Sequence, residues 1–351
     1  MARYWIIGGY GEVGAAATRR LHATAQHEDE ILVAGRGGEK AAELAQKLGK
    51  PVRAFELDVT GPVRPKIFEP GDIIINTVEA ISKDWLISMA EMGVIFIDVS
   101  ATDGYLNRVR TIFSGHPDKS LCLTDVGTSP GLTNLMAAHM AAKFPKLVSI
   151  ETYIEMGMGK HHGQAATKWV FEALSTTYPI EKNGARHMVH PRDQITKASF
   201  DLPTERQVTA VGVGFSDQVT IAQRHNLQTA QTFVSVAPNW INQVIGALLR
   251  LPLSRLIHRH AGTLASLMGK LPPLGPIRTS LKTVASDQAG QIMGSIEMLG
   301  PDQSELTGDI AAMAALRLRR SGQKGVRSLP DVMKLSQIRQ QLSHLKWHES
   351  L

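Results

Sequence analysis

Cysteine is nearly missing: Cys122 is the only one in 351 residues. A single thiol excludes an intramolecular disulfide and any cage of cysteines around a metal, and no metal site is expected. Both exclusions suit a reducing cytoplasm, the expected location. Cys122 also lies in an apolar run, where a thiol is inert. Long apolar stretches are missing as well. None reaches the ~18 uninterrupted apolar residues of a membrane span. The first apolar run, Tyr4–Ile7, stops at once in Gly8-Gly9, which predicts a strand and not the core of a signal peptide. Aromatics are only 5% and the net charge of +6 is scattered along the chain, so no nucleic-acid interface is expected. Such a modest positive excess suits anionic small molecules, such as phosphorylated cofactors or carboxylate substrates.

What is present describes a folded, two-domain chain. Hydrophobic residues make up 43% and charged residues 20%, enough for a packed core and too little charge for wholesale disorder. The length suits two domains. Nothing repeats at a fixed period, and no segment is of low complexity. Over the first 145 or so residues, β-rich runs at Tyr4–Ile7, Ile31–Ala34, Val52–Leu57, Asp72–Thr77, Val94–Asp98 and Leu121–Thr124 alternate with helical stretches at Gly11–Leu21, Glu39–Leu48 and Lys83–Met92. That alternation predicts βαβ units and a doubly wound parallel sheet of the α/β class. After Gly131 the pattern changes. A helix is expected over Leu132–Lys143 and a long strand over Val148–Met156. Further strands (Thr209–Phe215, Thr232–Ala237, Lys282–Ala285, Gly290–Leu299) mix with helices (Gln164–Tyr178, Trp240–Leu249), which predicts an α+β second domain. An alanine-rich helix, Gln303–Arg320, follows.

Gly9-Tyr10-Gly11-Glu12-Val13-Gly14 has the spacing Gly-x-Gly-x-x-Gly between the first strand and the first helix. In that setting Gly9 makes the tight turn. Gly11 lets the backbone approach a pyrophosphate, and Gly14 with Ala15-Ala16-Ala17 lets helix and strand pack closely. The helix start then holds the phosphates. The alternative is a strand-turn-helix that binds nothing. An NAD site commonly carries an acid about 20 residues further on, bonded to the ribose 2′-hydroxyl. Here the second strand runs into Gly35-Arg36-Gly37-Gly38, and a guanidinium pairs instead with a 2′-phosphate, which points to NADP(H). Otherwise Arg36 is a solvated loop charge. Asp58-Val59 would sit beside the adenine, although an Asp at a strand end also forms turns.

Ligands of open α/β sheets bind outside the carboxyl ends of the strands. Those ends carry Asn76-Thr77, expected at the ribose, then Asp98 with Ser100, and then Gly127 and Ser129 in a glycine-rich loop that can approach the nicotinamide. Ser129-Pro130 also reads as a helix cap followed by proline at the first helical position.

The opening Gly8–Gly14, the run Ala34-Gly35-Arg36, the stretch Gly127-Thr128-Ser129-Pro130-Gly131-Leu132-Thr133-Asn134-Leu135 and the ending around Ser304-Glu305-Leu306-Thr307 resemble the saccharopine dehydrogenase-like NADP-binding group. The resemblance is best over residues 1–140, patchy to about 320 and absent in the tail. It implies a Rossmann-type dinucleotide-binding domain of residues 1–140 plus 303–351, with an inserted substrate and dimerisation domain of residues 141–302, in a homodimer. It also implies NADP(H)-dependent oxidoreduction. Named members reduce imines to secondary amines, and other relatives are thought to reduce activated C=C bonds in lipids. The expected substrate is therefore a small amino-acid or polyamine-like imine. A lipid-like enoyl substrate and a non-catalytic NADP-binding protein remain the alternatives.

Hydride transfer belongs to the cofactor, and the protein binds and orients. The stretch Gly157-Met158-Gly159-Lys160-His161-His162-Gly163 offers Lys160 for a substrate carboxylate and His161 or His162 for a proton shuttle near neutral pH, with flanking glycines to let a ligand approach. A polar loop is the plain alternative. Asp98 and Ser100 are the other catalytic candidates. Finally, residues 241–270 are apolar with interspersed Arg250, Arg255, His258, Arg259, His260 and Lys270. Such a stretch either packs on the core with solvated basic groups or makes a peripheral membrane contact.

Overall fold

The computed structural model describes residues 2–350 apart from 27, 65, 161–163, 183–184, 252–255, 257–258 and 271. The chain forms two compact units. The first comprises Met1–Leu132 and Ser304–Lys334, the second Thr133–Gln303 and Leu335–Leu351.

The first unit is built on a seven-stranded parallel sheet. Its strands are β1 (Arg3–Ile7), β2 (Glu30–Gly35), β3 (Val52–Glu56), β4 (Ile73–Asn76), β5 (Ile95–Asp98), β6 (Leu121–Thr124) and a last strand, Gly325–Ser328. From that last strand the order runs β6, β5, β4, β1, β2, β3. This is the doubly wound order 3-2-1-4-5-6 with one extra strand, and its switch point lies between β1 and β4. Ile73, Ile74 and Ile75 are all buried, as a strand covered on both faces requires. Beneath β1, Trp5 donates its indole N–H to Asp72 at 2.8 Å and meets the rings of Phe55 and Phe68 edge-on. The crossover helices are α1 (Glu12–Thr24), α2 (Gly38–Leu48), α3 (Lys83–Met92) and α4 (Asp103–Ser114). α3 starts where the Ser82 hydroxyl accepts from the Trp85 N–H, and it stops at Gly93 in the left-handed conformation, φ +86°. The alanine-rich helix returns to this unit as Gln303–Leu318. Its Gly308 lies so close to α1 that an added Cβ would come within 2.5 Å of the Ala16 Cβ.

The second unit carries a mixed sheet around β7 (Ser149–Met158). α5 (Thr133–Lys143) precedes it and α6 (Gln164–Ser175) follows. β8 (Tyr178–Lys182) and β9 (Ala185–Val189) form a hairpin, and β10 (Ile195–Phe200) pairs with β11 (Arg206–Gly212). After α7 (Ser216–His225), β12 (Thr229–Ala237) runs parallel to β7. After α8 (Trp240–Leu249), β13 (Leu274–Ser286) pairs antiparallel with both β7 and β14 (Ile292–Gly300). Residues 335–351, grouped in the sequence reading with the nucleotide domain, lie here instead. The strand Lys346–Ser350 completes the sheet by pairing with β14, Glu297 opposite His348.

Candidate nucleotide-binding site

The turn after β1 is shaped by backbone crowding. Gly8 has φ +77°, which favours glycine. Its N–H and that of Gly9 both donate to Ala34 O, at 2.8 and 3.2 Å. Gly11 N–H donates back to Gly8 O at 2.9 Å, and Ala15 N–H to Gly11 O at 2.7 Å. A Cβ on Gly14 would lie 2.3 Å from Gly8 O and 2.6 Å from Gly9 Cα. α1 therefore begins pressed against the turn. No side chain caps its start at Gly11, although a helix N-terminus leaves backbone donors to be satisfied. A crowded turn with such a helix start fits a diphosphate, which amides and dipole both favour.

The residues expected at the adenosine end cluster beside it. Arg36 is exposed just past β2. Asp58 is also exposed, and its carboxyl accepts the Thr60 hydroxyl at 2.6 Å and the Thr60 N–H at 2.9 Å. Those bonds, with a smaller contribution from the Arg36 charge, hold it below the usual carboxylate range. Val59 is in the core, and its carbonyl accepts from Ser82 N–H. Its side chain thus serves packing. Tyr10 adds a link that spacing does not reveal. Its hydroxyl accepts from Gly37 N–H at 3.0 Å, and a Cβ on Gly35 would lie 2.5 Å from its ring. Tyr10 thereby braces the loop that carries Arg36. Tyr10→Phe removes one hydrogen bond, of about 1 kcal/mol. The expected result is a roughly fivefold loss of NADPH affinity, with NADH hardly affected, measured by fluorescence titration of both.

At the carboxyl ends of β4 and β5 the picture differs from the sequence expectation. The side chains of Asn76 and Asp98 have no exposed surface. Asn76 Nδ2 lies 2.8 Å from Asp98 Oδ2, 2.9 Å from Val78 O and 3.1 Å from the Tyr105 hydroxyl. Asp98 Oδ1 accepts the Ser100 N–H at 2.8 Å. Asn76 and Asp98 are thus enclosed by protein, and their mutual bonds hold the ends of β4 and β5 together. Burial pushes the Asp98 carboxyl up to about 6, against the hydrogen bonds from Ser100 and Asn76. Ser100 is also buried. Thr77 is half-buried and bonds to β1, its hydroxyl donating to Ile7 O at 2.8 Å. Glu79 was not anticipated. Its carboxylate accepts the N–H groups of Ala101 and Thr102, at 2.8 and 3.1 Å, and the Thr102 hydroxyl at 2.6 Å, tying the loop after β4 to the one after β5.

The loop after β6 is held from both sides. Arg110 Nη2 grips both oxygens of the buried Asp125, at 2.9 and 3.0 Å. Thr128 meets the Thr307 hydroxyl through its N–H at 3.2 Å and its own hydroxyl at 2.9 Å. Gly127 has φ +145°, and a Cβ there would lie 2.9 Å from Thr307 Cγ2. Ser129-Pro130 does not cap a helix. Ser129 is extended (φ −153°, ψ 115°), Pro130 has ψ 157°, the bond between them is cis, and α5 starts only at Thr133.

In the second unit, Lys160 Nζ lies 2.8 Å from Asp302 Oδ1. His161 and His162 are outside the described residues. The glycines before Lys160 are crowded by the protein's own backbone. A Cβ on Gly157 would lie 2.0 Å from Pro276 O, and one on Gly159 would lie 2.5 Å from Gly275 O.

Comparison with known proteins agrees with this geometry. Residues 4–122 match the family model described as saccharopine dehydrogenase NADP binding domain. Among solved structures, saccharopine dehydrogenase (L-Glu forming) from Saccharomyces cerevisiae superposes with a TM-score of 0.64 at 12% identity, covering 100% of both chains, and so shows the fold. A meso-dapdh mutant from Clostridium tetani, with DAP, covers 97% of this chain and 100% of its own at 14% identity and a TM-score of 0.46. A search of curated protein sequences finds no match. A Rossmann-type sheet, a helix start suited to a diphosphate and the matching domain model converge on an NADP-dependent oxidoreductase whose residues 4–122 are similar to the saccharopine dehydrogenase NADP binding domain.

Proposed function

We propose that this chain uses NADPH to reduce the C=N bond of an amino-acid or polyamine-like imine. The observation that carries the cofactor half is Arg36, an exposed guanidinium at the end of β2, where an NAD site commonly keeps an acid. The family and the fold shared with a saccharopine dehydrogenase over the whole length support the substrate class. When bound, the cofactor supplies the hydride. The glycine turn and the start of α1 hold the diphosphate, Arg36 takes the 2′-phosphate, and Tyr10 fixes the loop between them. Lys160, paired with Asp302, remains the candidate for a substrate carboxylate, and His161 or His162 for the proton. A protonated C=N nitrogen needs no strong acid from the protein, so hydride addition to carbon completes the amine.

Arg36→Ala is expected to weaken NADPH by about 1.5–3 kcal/mol, the range for hydrogen bonds to charged groups, and to leave NADH unchanged. Equal affinity of the native chain for both cofactors removes the argument from Arg36. The substrate half is tested by NADPH oxidation across a panel of amino-acid and polyamine imines. A second reading, reduction of an enoyl C=C bond in a lipid-like substrate, is favoured by Trp240, Val244 and Leu248 of α8, apolar side chains that are left exposed. Turnover of enoyl substrates without imine turnover selects it, and binding of NADPH with no turnover of either selects the non-catalytic alternative.

A further inference from the structure

We propose that the outer face of α8, with the adjoining start of β13, docks onto a membrane surface containing anionic lipid. Trp240, Val244 and Leu248 recur at i, i+4 and i+8, which places them along one side of α8, and Leu251 follows two residues past its end. They are 55%, 48%, 44% and 50% exposed. The opposite side of α8 is fixed to the second unit. Asn242 is buried there, accepts Val236 N–H at 2.7 Å and donates to Val236 O at 2.8 Å. The helix therefore cannot turn its apolar side inward without breaking those bonds. The patch extends beyond the helix. A Cβ on Gly275 would lie 2.6 Å from Ala237 O, so the start of β13 runs against the residues that lead into α8, and its Leu274 and Ile277 are exposed too.

Charge selects the occupant. No aspartate or glutamate occurs between Asp217 and Asp287, while Arg250, Arg259 and Lys270 are exposed. In a two-fold interface between copies this segment meets its own copy and offers no acid of its own to pair with those cations, while the 191–193 turn packed against α8 adds Arg192 and Asp193, which cancel. An anionic bilayer complements the exposed cations, and an apolar stripe with a tryptophan at one end suits the headgroup boundary. The inference is independent of the imine reading and needs no turnover.

The test is co-sedimentation of the full chain with phosphatidylcholine vesicles, with and without phosphatidylglycerol. At about 1 kcal/mol per basic residue, three cations give on the order of 100-fold tighter binding to the anionic vesicles, lost at high salt. Arg250→Ala with Arg259→Ala and Lys270→Ala should abolish that preference. Leu248→Glu with Leu251→Glu should abolish sedimentation while NADPH titrates normally, since both leucines are exposed and lie in the other unit. The proposal is overturned if the native chain ignores phosphatidylglycerol, or if the leucine variant still sediments with vesicles. It is also overturned if that variant converts a dimer to a monomer without any vesicle binding by the native chain, which assigns the face to a second copy.

Discussion

Gly14→Val is expected to lower NADPH affinity by at least about 100-fold and to destabilise the first unit. The new Cβ would come within 2.3 Å of Gly8 O and 2.6 Å of Gly9 Cα, and both are backbone atoms that no rotamer change can clear. α1 must move away from the turn. Overpacking of this kind costs about 1–3 kcal/mol in folding. It also carries the helix-start amides off the diphosphate position, and two charged-group hydrogen bonds at about 1.5–3 kcal/mol each account for the binding loss. Gly104→Ala is the matched control. A Cβ there meets nothing within 4 Å, and the residue lies inside α4, so stability should rise by about 0.5–1 kcal/mol with unchanged NADPH binding. Normal affinity in Gly14→Val, by fluorescence titration at a temperature where far-ultraviolet circular dichroism shows it folded, would mean that close packing at this turn does not create the site.

The contrast between Gly14 and Gly157 shows what the chain reveals on its own face. Gly14 is crowded by residues five and six positions away, so its spacing within one strand-turn-helix carries the signal. Gly157 and Gly159 are crowded by Gly275 and Pro276, far along the chain, and nothing local separates that purpose from ligand access. The same distinction explains Asn76 and Asp98. Each stands at a strand end where ligands bind, and that much is legible. Their mutual bond depends on β4 pairing with β5 in register, Asn76 opposite Asp98, and on Tyr105 reaching them from α4. Ser129-Pro130 misled because serine followed by proline is a good local helix start, whereas the chain here stays extended between Gly127 and Gly131. The placement of residues 335–351 was equally beyond local reading. The strand Lys346–Ser350 takes its partner from β14 and its Glu349 meets Lys143 of α5, and these distant contacts assign it to the second unit.

Between Asn76 and Tyr105, the Asp98 carboxyl makes stability depend on pH in the unusual direction for an acid. Burial lifts it from 3.8 to about 6 in the folded chain. Between those values the folded state binds more protons than the unfolded state, so stability falls as pH rises. The contribution is fully present below about pH 4 and is lost as pH climbs through about 6. At 1.36 kcal/mol per pH unit, the loss is on the order of 2–3 kcal/mol. Other carboxylates act oppositely. Glu349, held down to about 2 by Arg339 and Lys143 against the effect of burial, adds stability that disappears only as pH falls below the usual carboxylate range. A single pH series therefore mixes the two, and the informative quantity is the difference between the native chain and Asp98→Asn. The amide keeps the shape, can still accept the Ser100 N–H and does not ionise. Denaturant unfolding at pH 4.5 and 7.5 should show Asp98→Asn gaining about 2 kcal/mol relative to the native chain over that interval. A constant difference at the two pH values would mean that Asp98 ionises in the folded chain as it does in water, and that the Asn76–Asp98–Tyr105 cluster does not exclude solvent from the ends of β4 and β5.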